Sequence, residues 1–236
     1  MKSLLPFLIC VLYLTTSVSA QSDTLQSENQ AKKQFLKHQI LPLGLITVGS
    51  LLNIGQIKET IHDHTPQTNT TVENYLQYLP AAQMYLFDAI GFKHRNNVFD
   101  QTKYLLISQL ASGIIVQTLK KTTQITRPDG EPNSFPSGHT TTAFVNATVL
   151  YKEFKDTDPW IAYSGFVVAA ATGSLRMTNN KHWLPDVMVG AGIGILTVNV
   201  VYLWEPLKKL QLSTKNKRIS FAPMIGYQSL SLSCNF

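Results

Sequence analysis

The chain has little cysteine and little charge. Cys10 and Cys234 are the only cysteines in its 236 residues. Cys10 falls in an N-terminal segment expected to be removed, and Cys234 alone cannot form an intrachain disulfide or a cysteine-metal site. Charged residues make up 14% of the chain against 44% hydrophobic, a balance poor in charge for an ordinary soluble surface. It points to a membrane-associated or unusually buried helical protein. No basic tract with interleaved aromatics is present, which argues against nucleic acid as a partner. The net charge of +6 instead suits a phosphate ester or an acidic lipid surface. Long apolar runs are scarce too: several candidate spans extend about 15 residues, where a crossing helix needs about 20. There is no internal repeat.

What is present reads as one domain with extra material at both ends. Residues 1–20 have the form of a secretory signal, with Lys2 as basic region, Leu4 to Leu14 as apolar region and Val18-Ser19-Ala20 as cleavage site. Residues 21–210 carry the helical patterns, at 40–54, 75–92 (interrupted by Pro80 and Asp88), 104–119, 139–154, 159–174 and 185–204. Gly190 and Gly194 on the last of these predict close helix–helix contact. Segments 55–75 and 93–103 read as loops. In the first, His62-Asp63-His64 reads as solvated rather than metal-binding, and Asn69-Thr70-Thr71 fits a glycosylation acceptor. Residues 211–236 form a tail whose Leu230-Ser-Leu-Ser-Cys-Asn-Phe236 alternation predicts a terminal hairpin or augmenting strand. The expected fold is an all-α helical bundle with a short C-terminal β-like tail.

Residues with chemistry cluster in three places. In Pro136-Ser137-Gly138-His139, Pro136 disfavours helix before it and Ser137 is a natural N-cap. The backbone N–H groups of Gly138 and His139 then lie at a positive helix end suited to an anion, where Gly138 allows close approach and His139 supplies a proton. Lys120 and Arg127 are spaced to share a face where a helix ends at Arg127-Pro128, with the Arg127 fork suited to bidentate phosphate contact. Downstream come Arg176, His182 and Asp186. Pro185 places Asp186 at a helix start, where it fixes the His182 ring and stabilises its charged form. Three fixed cations, helix N-termini and two histidines are what phosphomonoester hydrolysis without a metal requires: charge stabilisation, a nucleophile and a proton donor.

Lys120-x6-Arg127-Pro128, Pro136-Ser137-Gly138-His139 and Arg176-x5-His182-x3-Asp186 resemble, in order and spacing, the motifs of the type-2 phosphatidic acid phosphatase family, which shares its fold with vanadium haloperoxidases. The resemblance covers about residues 100–205. It implies that Lys120, Arg127, Arg176, Ser137 and Gly138 contact the phosphate, that His139 is the general acid, and that His182, oriented by Asp186, becomes phosphorylated, with no metal or cofactor. One position departs: the family's third motif usually begins Ser-Arg, whereas Leu175 precedes Arg176 and Ser174 lies one place earlier. A hydroxyl contact is lost there or replaced.

The expected activity is hydrolysis of a lipid phosphate monoester or pyrophosphate (lipid A phosphate, polyprenyl pyrophosphate or a phosphatidate-like lipid). The rival readings are a soluble secreted acid phosphatase, a vanadate-dependent haloperoxidase and a non-enzymatic envelope scaffold. If 104–119, 139–154, 159–174 and 185–204 all span, the loops opposite the motifs carry Lys93, Arg95, Lys103, Lys152, Lys155 and the basic stretch Lys208 to Arg218. Positive charge inside then places the motifs on the periplasmic face of an inner membrane. Soluble periplasmic or outer-membrane association is the alternative. A cleaved signal requires an even number of spans before Lys120, so 80–92, short and carrying Asp88, is expected not to cross; with the signal retained, all three candidates before Lys120 cross.

Overall fold

The computed structural model describes residues 33, 36–54, 56–203, 220–226 and 229–235. The expected signal segment 1–20, Cys10 within it, and the basic stretch Lys208 to Arg218 lie outside the described residues. Contacts divide the chain into units Met1–Leu41 and Pro42–Phe236. Helix α1 runs Leu36–Leu52. It is followed by α2 (Ile57–Asp63), α3 (Glu73–Leu76), α4 (Leu79–Ala89), α5 (Val98–Thr123), α6 (Gly138–Phe154), α7 (Pro159–Thr178) and α8 (Leu184–Leu203). Strands β1 (Ser220–Gly226) and β2 (Ser229–Asn235) pair antiparallel, with Ser220 opposite Asn235 and Gly226 opposite Ser229. The expected helical bundle with a strand-like tail is therefore present. β1 escapes the sequence pattern because Pro223 interrupts it.

Two stretches expected as loops are partly helical. Residues 55–75 contain α2 and the start of α3, and 93–103 contains the first turn of α5. That turn begins where the Asn97 carboxamide accepts from the Asp100 N–H at 2.9 Å, a cap placed ahead of the apolar pattern.

Helix α6 is central, packing against α4, α5, α7 and α8. Small residues set how close its neighbours come. A Cβ added at Gly165 of α7 would lie 2.9 Å from Leu150 Cδ2, and one at Gly190 of α8 would lie 2.7 Å from the Ser137 carbonyl oxygen. At Gly194 it would lie 2.8 Å from the Thr141 carbonyl oxygen, so the predicted close contact of the glycine-spaced helix is made, with α6 as partner. At one end of the bundle Met84, Tyr104, Leu150, Phe154, Val198 and Tyr202 form the main apolar cluster. Buried Glu153 closes that end, accepting from the Tyr202 hydroxyl and from the backbone and side chain of Asn96. The opposite end gathers the C-termini of α5 and α7 with the N-termini of α6 and α8. It is there that the motif residues lie.

Of the expected spans, Leu184–Leu203 is the one described helix that alone is long and apolar enough to cross a membrane, and it is largely buried among its neighbours. Helices α1 and α2 pass the same test only as a pair, bent by 92°. Helix α6, with 17 residues, is too short, and polar side chains on the buried sides of α5 and α7 lower their mean hydropathy. Helix α4, with 11 residues, rises only about 16 Å.

Candidate active site

The loop between α5 and α6 builds one wall of the site. Helix α5 stops at Thr123 because Gln124 turns left-handed, with φ of 49°. Arg127 therefore stands in the loop, not on the helix face expected to carry it with Lys120. A turn closed by the Arg127 N–H on the Glu131 carbonyl at 2.8 Å, with Gly130 at φ of 87°, sets its backbone. The Lys120 ammonium reaches up from the last turn of α5 and donates to the carbonyls of Asn133 at 2.6 Å and Ser134 at 3.1 Å. The lysine fixes the loop and brings its charge to the same place.

The loop then enters α6 as expected. The Ser137 hydroxyl caps the helix, accepting from the Thr140 N–H and sharing a 2.8 Å hydrogen bond with the Thr140 hydroxyl. Packing does not demand glycine at 138: an added Cβ would meet only Val116 at 3.9 Å. A smooth approach to the helix end is what the missing side chain preserves. His139, half-buried, places Nε2 2.9 Å from the Asn74 carboxamide oxygen.

The third cluster packs against the first two. His182 is 2% exposed, and its Nδ1 lies 3.2 Å from Asp186 Oδ2. Because a carboxylate can only accept, Nδ1 carries the proton and Nε2 keeps its lone pair. The same Asp186 oxygen accepts from the Trp183 N–H at 3.0 Å and from the Ser134 hydroxyl, while the Asp186 carbonyl accepts from the Ser137 N–H at 3.0 Å. One aspartate thus ties the start of α8 to the loop before α6. Burial, foremost, together with the charges of Lys120 and Arg176, pushes His182 down to about 4 against the pull of Asp186, so the ring is neutral at neutral pH. Arg176, 6% exposed in the last turn of α7, pairs with Glu73 at 3.2 Å. Two further contacts, Lys181 to Asp129 at 2.8 Å and the Trp183 indole N–H to the Thr126 carbonyl at 2.8 Å, clamp the loops together.

Lys120, Arg127, Arg176, His139 and His182 are close enough to feel one another's charge. The Nε–H groups of Arg127 and Arg176 are buried without an acceptor among the described residues. Buried cationic donors of this kind favour an oxyanion as acceptor. All eight residues expected from the sequence are brought to one end of the bundle. The sequence did not indicate Ser134, Glu73 or Asn74. Ser134 lies just outside the motif that begins at Pro136, and Glu73 and Asn74 come from a segment with no motif. Ser174 is exposed and does not stand in for the hydroxyl missing at Leu175. His62 and His64 go to separate partners, the Trp183 ring and the Thr60 carbonyl.

At this end of the helical bundle a buried histidine–aspartate pair and a second histidine stand among lysine and arginine side chains. The PAP2 superfamily model matches residues 101–209, and that part of the chain belongs to this superfamily. The lipid A 1-phosphatase of Porphyromonas gingivalis is 34% identical over 178 residues, 72% of this chain. The chain spans 38% of that protein's length. Among solved structures, the transmembrane PAP2-type phosphatidylglycerolphosphate phosphatase of Bacillus subtilis shares the fold. It is 18% identical, with a TM-score of 0.50 over 73% of this chain and 98% of that one. LpxE of Aquifex aeolicus matches 56% of this chain and 84% of its own, at 25% identity and a TM-score of 0.45.

Proposed function

We propose that the chain is a phosphatase that removes phosphate from a membrane lipid through a phosphohistidine at His182. The observation carrying this reading is the meeting of His182 and Asp186 at 3.2 Å with Lys120, Arg127, Arg176 and His139 at one end of the bundle. Nε2 of His182 attacks phosphorus, forming an N–P bond while the bond to the leaving oxygen breaks. His139 gives that oxygen its proton. Water then attacks phosphorus, His139 takes the proton back, and the N–P bond breaks to release phosphate. Lys120, Arg127 and Arg176 stabilise charge on the transferring group together with the helix N-terminus at Ser137 and Gly138. The protein thus supplies the charge that a metal ion gives in other phosphatases, and turnover is expected to resist chelators. His182 is sealed and His139 half-open, so the nucleophile lies deeper than the proton donor.

A lipid substrate, with lipid A phosphate first, is supported by the P. gingivalis relative's name and by this chain's exposed apolar side chains. On α5, Leu106, Leu110 and Ile114 are 56%, 68% and 69% exposed; on α7, Val167 is 72% exposed. Membrane association follows most simply from such faces. Lys152 and Lys155 at the end opposite the site support an active site facing away from the cytoplasm, in an inner membrane entered behind a cleaved signal. An impermeant thiol reagent should then label Thr157→Cys from the cytoplasmic side only; labelling from outside overturns the orientation. The activity itself is tested by phosphate release from purified envelope lipids. Wild type should release phosphate and His182→Ala should not. Substantial turnover by His182→Ala would remove the assigned nucleophile.

A further inference from the structure

Residues 65–74 read as part of a loop in the sequence, yet they contact both Arg176 and His139 at the site. Their anchor is Asn179, the residue that ends α7 three places after Arg176. The Asn179 carboxamide oxygen accepts from the Thr68 hydroxyl at 2.8 Å and the Thr70 N–H at 3.1 Å, and its NH2 donates to the Thr70 carbonyl at 3.0 Å. The Thr68 N–H adds a 2.7 Å bond to the Thr178 carbonyl. So fastened, the segment turns into α3 and delivers two adjacent side chains. Glu73, 2% exposed, holds the Arg176 guanidinium through Nη1 at 3.2 Å. Asn74, at the surface, holds Nε2 of His139 at 2.9 Å.

We propose that Glu73 and Asn74 are positioning residues for the reaction, Glu73 acting through Arg176 and Asn74 through His139. The proposal rests on the phosphatase reading above. Glu73 engages Nη1 of the guanidinium and leaves Nε, buried and without an acceptor among the described residues, to meet a phosphate oxygen. It also offsets one positive charge where Lys120, Arg127 and Arg176 would repel one another. The Asn74 amide oxygen accepts, which keeps a hydrogen on Nε2 of His139 and leaves Nδ1 as the nitrogen that gives up and regains the proton. Because Glu73 and Asn74 are consecutive, a single short helix sets the separation between the guanidinium that grips the phosphate and the imidazole that protonates the leaving group. This also gives the Asn69-Thr70-Thr71 segment a role: Thr70 lies in the anchor, beside Asn179 and 3.4 Å from Glu73.

The test uses the full chain in detergent micelles. Inorganic phosphate binding is measured by calorimetry, and turnover is measured on a matched pair of esters, one with an alkyl and one with a nitrophenyl leaving group. Asn74→Ala should lower the alkyl rate by about 10- to 100-fold and the nitrophenyl rate much less, because an acidic leaving group needs no proton. Added to His139→Ala, it should have no further effect. Thr68→Val, which loosens the anchor of both side chains, should lower both rates, the alkyl rate more. Glu73→Gln, equal in size, should weaken phosphate binding by about tenfold, and Glu73→Asp should weaken it less. Equal losses on both esters for Asn74→Ala would overturn its role. Wild-type phosphate affinity in Glu73→Gln would overturn that of Glu73 while leaving the phosphatase reading intact. Failure of the wild-type protein to bind phosphate would overturn both.

Discussion

At the scale of the residue, the proposed reaction rests most on His182 and Asp186. Burial keeps the His182 ring neutral to about 4, so protonation removes the attacking lone pair only in strong acid. On the nitrophenyl ester, whose leaving group needs no proton from His139, kcat/KM reports the free protein and should hold as pH falls toward 4, then decline about tenfold per unit. Asp186→Asn removes the carboxylate charge and the charge-assisted hydrogen bond, both of which pull the His182 value upward. The acid limb should therefore move to lower pH while the plateau falls by on the order of 10³, as the ring loses its tautomer and the stabilised positive charge. A pH–rate profile on a soluble ester reads both effects, and a limb displaced upward would contradict the assigned pair. These residues were legible in the sequence because their spacing is local: four residues at a helix start suffice to bring His182 to Asp186. Ser134 and Glu73 were not legible. Each earns its place through a partner 52 or 103 positions away, and nothing near either residue in the chain signals that meeting.

At the scale of the element, the packing of α8 on α6 decides whether the loop that enters α6 keeps its shape. Gly190 sits under the Ser137 carbonyl, so Gly190→Ala pushes a methyl group into the turn that starts α6. The expected result is a loss of about 1–3 kcal/mol from overpacking, with a fall in phosphate affinity that an equally destabilising change elsewhere would not produce. Gly113, in the middle of α5, is the control, because an added Cβ there would meet nothing within 4 Å. Gly113→Ala should stabilise by about 0.5–1 kcal/mol through helix propensity alone and leave binding unchanged. Thermal unfolding and phosphate titration separate the two variants; a Gly190→Ala protein with unchanged affinity would detach the loop from the helix contact. The glycine spacing, the long helices and the Ser137 cap were readable because each follows from a periodic pattern or a local hydrogen bond. The end of α5 was not, since Gln124 adopts its left-handed turn without a glycine or proline to announce it. Helix α2 was missed because it buries no residue and so leaves no periodic trace.

At the scale of the whole molecule, the charge-poor composition and the exposed apolar faces have one consequence that length criteria miss. Helix α5 fails a hydropathy test because its buried side carries Gln101, Ser108 and Ser112, while its outer side shows Leu106, Leu110 and Ile114. Helix α7 likewise buries Thr172 and Arg176 and turns Tyr163 and Val167 outward, with Trp160 89% exposed at its start. Averaging along the chain mixes the two sides; a bilayer meets only one. Removing such side chains from water is worth about 1.5–3 kcal/mol each, so a handful of them amounts to on the order of 10 kcal/mol. A protein held by charge alone would leave the membrane in high salt, where screening reaches a few ångströms. The expected outcome is the reverse: the protein stays with the membrane fraction through concentrated salt and alkaline carbonate, and is released by detergent with the proposed phosphatase activity intact. Fractionation followed by phosphate release checks this. Release by salt alone, with full activity on a soluble ester, would instead favour the soluble phosphatase and assign the exposed faces to protein partners.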